Sequence, residues 1–178
     1  ELFTSSLYLL RFIAYALVYI SIYQFPEVAN LWMWGLYSSG VLFAIFGLVQ
    51  FVLYPSLGNL VYQGWDPHYY RVFSTLLDPN FAGIIFVLTF LLGLYFIQKK
   101  TTSPTVLWIF QGLVGLSLFL TYSRSTALAF VAAIGVWFVR NKLVSKGIIA
   151  ALIIFVIIVV IPKPGGDTLR LDRMTSVI

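Results

Sequence analysis

Residues 121–130 read TYSRSTALAF and hold one arginine, Arg124, in a short polar break between two long apolar stretches, PTVLWIFQGLVGLSLFL before it and TALAFVAAIGVWFV after it. Ser123 or Ser125 can cap a helix that begins here. Arg124 then sits at the positive end of a helix macrodipole, where a cation costs about 0.3–1 kcal/mol. A guanidinium at depth in a membrane adds a desolvation cost of a few kcal/mol. Two penalties at one residue call for a compensating anion, and a helix N-terminus with free N–H groups is itself an anion site. The plainer alternative is that Arg124 snorkels to lipid phosphates.

A second group lies upstream in RVFSTLLDPNFAGIIF. Asp78 before Pro79 is a helix start, an N-cap followed by proline at the first helical position. Asn80, in the first turn, either points its amide at a ligand or bonds to backbone. Arg71 precedes Asp78 by seven residues. Arg71 and Arg124 with two helix N-termini, Asp78, Asn80 and Ser123 among them, make the chemistry of a diphosphate clamp, because guanidinium groups meet phosphate oxygens in bidentate geometry. Arg11 lies within an apolar run and either pairs with another helix or meets a further part of a longer chain. His68, beside Pro67, reads as an interface residue rather than a base. Arg170 and Arg173 either bind substrate or are solvated.

The chain has no cysteine and a single histidine, which removes thiolate and multi-histidine metal sites. No cofactor, no metal and no nucleic-acid partner are expected.

The elements that must position these residues are apolar. Of 178 residues 61% are hydrophobic and 10% charged, against about 25% charged in soluble domains. So few polar side chains cannot cover a water-soluble globule, and the apolar runs are continuous rather than alternating as in a membrane barrel. The expected fold is all-α: a polytopic helical membrane protein with about six transmembrane helices, near 2–23, 31–53, 81–98, 105–122, 125–139 and 147–161, each close to the ~17–25 residues a span requires. They form one transmembrane domain over 1–178. The start on Glu1 and the polar residues that close the sequence suggest the middle piece of a longer protein.

Parity sets the sides. Segments 98–104 and 140–146 are two spans apart and carry Lys99, Lys100, Arg140, Lys142 and Lys146 with no acid, as short cytoplasmic loops do. The outer side receives 54–80, 121–125 and 162–178, where Arg71, Arg124, Lys163, Arg170 and Arg173 are mixed with Asp66, Asp78, Asp167 and Asp172. Tyr54, Tyr62, Trp65, Tyr69 and Tyr70 suit the headgroup level, so 54–80 is expected to lie along the outer interface as a short helix or re-entrant piece.

Together, RVFSTLLDPNFAG and, some forty residues on, LTYSRSTALAF resemble the bacterial O-antigen ligase and O-antigen polymerase superfamily over roughly residues 40–178. The resemblance rests on Arg71, on Pro79–Asn80 with Asp78 ahead, and on the Thr121, Ser123, Arg124 pattern. It implies a multi-pass inner-membrane glycosyltransferase that moves a glycan from an undecaprenyl-diphosphate carrier to an acceptor at the periplasmic or outer face. The acceptor is lipid A core in the ligases, a growing glycan in the polymerases and a protein hydroxyl in related transferases. The resemblance further implies an inverting, metal-independent reaction in which Arg71 and Arg124 grip the diphosphate, and a functional histidine in a large outer loop after the sixth span, where His68 does not lie. The rival reading is a lipid-linked glycan or anion transporter or flippase, for which intramembrane arginines and helix ends also serve. A transporter calls for inverted repeats and polar residues near the midplane. Neither is evident in the third to sixth spans, where the charges cluster at the outer ends.

Overall fold

A computed structural model describes residues 2–66 and 68–141. The expected sixth span at 147–161, the outer segment 162–178, Arg170 and Arg173 lie outside the described residues. The fold is all-helical, with a single isolated β-bridge, Ser56 to Tyr69, and no strand among the described residues. Five α-helices follow in order: α1 Leu2–Gln24, α2 Pro26–Leu53, α3 Pro79–Lys99, α4 Pro104–Leu120 and α5 Arg124–Arg140. Two 3-10 helices, Gly58–Gln63 and Ser74–Leu76, lie between α2 and α3. The long segment 54–80 is thus two short helical pieces joined by loop.

Helix starts follow the punctuation of the sequence. Proline occupies the first turn of α3 and α4, and Asp78 and Ser123 accept hydrogen bonds from the first-turn amides of α3 and α5. α3 ends on Lys100 in a left-handed conformation, φ 52°. α2 begins at Pro26, five residues before the expected 31. The extra turn is PEVAN, which apolarity does not mark but which proline at the first position and Glu27 against the helix dipole favour.

Two helices are long and apolar enough to cross a membrane, Glu27–Leu53 and Pro79–Lys99, with mean hydropathies of 2.0 and 2.2. Phe12–Gln24 and Pro104–Leu120 are apolar but shorter. The outward faces are apolar as well: Leu42, Phe46, Leu88, Trp108, Leu116 and Leu128 are all exposed.

The chain divides into two compact units between Ser38 and Ser39. The first contains α1, whose Phe12, Tyr15, Tyr19 and Tyr23 are exposed. In the second, α3 packs on both α4 and α5. Small residues let these helices approach closely, as they do where hydrophobicity cannot drive one apolar helix onto another. A Cβ at Gly83 would fall 2.5 Å from the Thr126 side chain on α5, and one at Gly93 would be 2.5 Å from Cδ of Gln111 on α4. Hydrogen bonds add register: Gln111 Nε2 donates to the Phe90 carbonyl at 2.8 Å, and Ser117 Oγ donates to that of Ala44 at 3.1 Å. Phe86, Phe96, Val114, Phe130 and Ile134 fill the core, with Phe90 edge-on to Phe130 at 5.1 Å.

Candidate functional site

The site forms where the segment before α3 meets the break between α4 and α5. The incoming segment is held at several points. Tyr70 N donates to the Pro55 carbonyl at 2.7 Å and Val72 N to that of Leu120 at 2.9 Å. Gln50, in the last turn of α2, accepts at Oε1 from the amides of Phe73 and Ser74 at 3.0 and 3.2 Å and donates from Nε2 to the Arg71 carbonyl at 3.3 Å. Ser74 Oγ donates back to Phe43 O on α2 at 2.8 Å. One side-chain amide thereby satisfies a stretch of irregular backbone that would be costly to bury unpaired.

Arg71 joins the two halves of the site. Its Nε donates to Thr121 O at 2.7 Å and its Nη2 to Tyr122 O at 3.2 Å. These carbonyls lie at the C-terminal end of α4, where the dipole is negative and a cation is favoured. Arg71 is half-buried, and it pulls the break against the segment that enters α3.

Asp78 takes the capping role. Its Oδ1 accepts from the amides of Asn80 at 2.6 Å and Phe81 at 3.2 Å. The first N–H groups of α3 are therefore occupied by the protein's own carboxylate.

Asn80 turns its side chain to α5 rather than to backbone. Ser123 Oγ donates to Asn80 Oδ1 at 2.6 Å. The same hydroxyl accepts from Thr126 Oγ1 at 2.8 Å and from Thr126 N at 3.3 Å, the N-cap bond of α5, and lies 3.1 Å from Ser125 Oγ. This network fixes the N-termini of α3 and α5 side by side, with Ser123 and Thr126 buried and Asn80 and Ser125 exposed.

Arg124 is the first residue of α5 and is exposed. No hydrogen bond or ion pair joins its guanidinium to another described residue. The sequence expectations thus separate. Asp78 caps, Asn80 and Ser123 bind each other, Arg71 braces, and Arg124 is left facing outward beside Ser125. The structure brings the five into one corner; Arg170 and Arg173 lie outside the described residues.

The backbone here is unusual. Five described non-glycine residues have positive φ, and four of them, Tyr70 (47°), Ser74 (50°), Leu77 (58°) and Tyr122 (49°), belong to this corner. Such conformations cost on the order of 1–3 kcal/mol each and collect at functional sites.

Gln50 and Thr126 are members of the corner that sequence reasoning missed, and Thr121, singled out only within the resemblance, enters through its carbonyl. Gln50 carried a signal, being a lone amide near the end of an apolar run. Thr126 carried a fainter one, three residues after the cap.

Comparison with protein-family models, with curated proteins and with solved structures finds no match for the chain.

Proposed function

We propose that this protein is a multi-pass membrane glycosyltransferase similar to the O-antigen ligases and polymerases. It transfers a glycan from an undecaprenyl-diphosphate carrier to a glycan or lipid A-core hydroxyl at the outer face of the bacterial inner membrane. The observation that carries this reading is the placement of Arg124: an exposed guanidinium at the positive end of α5, fixed there by the Ser123–Asn80 hydrogen bond. A cation in that position is unfavourable until an anion arrives, and a phosphate meets both the guanidinium and the helix end. The apolar outward faces of α2–α5 support residence in a bilayer, since soluble monomers rarely expose large contiguous apolar patches.

In this reaction the acceptor oxygen attacks the anomeric carbon as the bond from that carbon to the phosphate oxygen breaks. The electron pair leaves with the lipid diphosphate, and the acceptor's proton passes to a base. Negative charge grows on the diphosphate in the transition state, where a fixed cation in a partly dry site acts most strongly. Arg124 is the catalytic residue for that charge. Arg71 is a positioning residue that holds the break and adds its charge to the corner. Asp78 and Asn80 set the two helix ends at the right separation.

Arg124→Ala in the full chain, with expression and membrane insertion verified, tests the reading. Finished glycan should vanish while undecaprenyl-linked donor accumulates, as single units if a polymerase is lost and as full polymers if a ligase is lost. An unchanged glycan profile makes Arg124 a lipid-facing anchor and ends the proposal.

A further inference from the structure

The segment that leads into the corner carries chemistry the diphosphate does not use. Between α2 and Arg71 the chain makes a closed loop. Its neck is the Ser56–Tyr69 bridge, reinforced by Leu57 N to His68 O at 3.4 Å and Tyr70 N to Pro55 O at 2.7 Å. Leu57 is 0% exposed and roots the loop. The interior is ordered by the 3-10 helix Gly58–Gln63, which Gly64 ends at φ 86°. A compact surface loop whose ends meet is a common carrier of function. Tyr70 and Arg71 follow its neck directly.

Its surface is aromatic and amide-bearing. Tyr62 is 81% exposed, Tyr69 47% and Trp65 39%. Gln63 Nε2 donates to the Tyr62 hydroxyl at 2.8 Å, and the Tyr54 hydroxyl donates to Asn59 Oδ1. A ring held by a neighbouring amide, as Tyr62 is by Gln63, loses little conformational freedom when a ligand lands on it, which preserves affinity. Residues 54–70 include one acid, Asp66, and no lysine or arginine. A loop that docks on anionic headgroups is normally rich in basic residues, and a polyanion would meet no lysine or arginine within 54–70. Aromatic faces that take the C–H side of a pyranose, beside amides and a carboxylate that take its hydroxyls, match a neutral, polyhydroxylated ligand.

We infer that this loop is a saccharide-binding platform, with Tyr62, Trp65 and Tyr69 stacking on sugar rings and Asn59, Gln63 and Asp66 bonding to hydroxyls. The inference rests on the transferase reading for its biological setting: the loop then holds the glycan beside Arg124 while the diphosphate occupies the corner.

The test uses the full chain in lipid nanodiscs and a panel of neutral oligosaccharides of hexoses and N-acetylhexosamines carrying neither lipid nor phosphate. Calorimetry should find saturable binding, weakened at least about tenfold by Tyr62→Ala and by Trp65→Ala, the loss expected when a well-packed aromatic contact is truncated. Tyr62→Phe, which keeps the ring, should retain it. Tyr62 is exposed enough that its truncation does not threaten folding. The chain lacks cysteine, so Val61→Cys gives a unique spin-label site, which should be water-accessible and become immobilised by the oligosaccharide. Absence of binding across the panel, or binding indifferent to both alanine variants, overturns the platform. A label at acyl-chain depth makes the loop a membrane anchor and overturns it equally. Because the probe has no diphosphate, these outcomes are independent of the Arg124→Ala glycan profile.

Discussion

The two ends of the α3–α5 pair solve the same packing problem with opposite electrostatics. At the C-terminal end Gln98 Nε2 donates to Asn141 Oδ1 at 2.9 Å, and Asn141 Nδ2 donates to Trp137 O at 2.7 Å. At the N-terminal end Ser123 donates to Asn80. Each end is tied by one polar contact between side chains. Lys99, Lys100 and Arg140 decorate the C-terminal end, where helix carbonyls favour cations, and Lys99 also lies 5.3 Å from the Tyr95 ring. Arg124 decorates the N-terminal end, where the same physics disfavours it. The basic C-terminal end is explained by helix stability alone. The N-terminal end, with its left-handed Tyr122 and Leu77, is not, and that discrepancy is what the proposed site would account for.

The largest expected effect comes from changing one arginine to lysine at each end. Arg124→Lys keeps the charge but loses the planar fork that meets two phosphate oxygens. It should lower glycan transfer about 100-fold or more, the range seen when a transition-state donor is lost. Arg140→Lys should leave transfer unchanged. Transfer assays on membranes at matched protein levels decide this, and equal rates for both variants would break the contrast.

Next in size is Arg71→Ala. It strips charge-assisted hydrogen bonds from the Thr121 and Tyr122 carbonyls, and such bonds are worth about 1.5–3 kcal/mol. Thermal unfolding in detergent should show a loss of that order, together with reduced transfer. Gln98→Ala, which cuts an exposed amide contact at the other end, should cost about 1 kcal/mol or less. Losses of equal size at the two ends would remove Arg71 from its bracing role.

How much of this was legible depends on the kind of signal. α3, α4 and α5 start within two residues of expectation because Pro79, Pro104 and Ser123 are local punctuation. The start of α2 was not legible, because apolarity marks a membrane-compatible stretch and PEVAN continues the helix beyond it. The capping role of Asp78 could be read from its neighbours. The bonds from Arg71 to Thr121 and from Asn80 to Ser123 could not, since each joins residues more than forty positions apart and leaves no periodic trace. Nor did polarity say which helix faces pack, because lipid and core are both apolar. Gly83 and Gly93 held that information in their size, against Thr126 and Gln111.

The smallest effect is the sharpest, because its sign differs between the ends. Arg124→Ala removes a cation from a positive helix end and leaves the Ser123 cap in place. It should raise stability by about 0.3–1 kcal/mol while abolishing transfer. Arg140→Ala removes a cation from a negative helix end and should lower stability by a similar amount, about 0.3–1 kcal/mol, with transfer intact. Unfolding midpoints at low ionic strength resolve the two, and added salt should shrink both shifts, since both residues are exposed. A residue kept only as a structural anchor would lower stability when removed. A gain in stability with loss of transfer is what a site that holds an unfavourable charge for its substrate must give. A loss of stability from Arg124→Ala would mean that the unliganded protein already supplies the anion, and the corner would then be a structural joint like the one at Gln98 and Asn141.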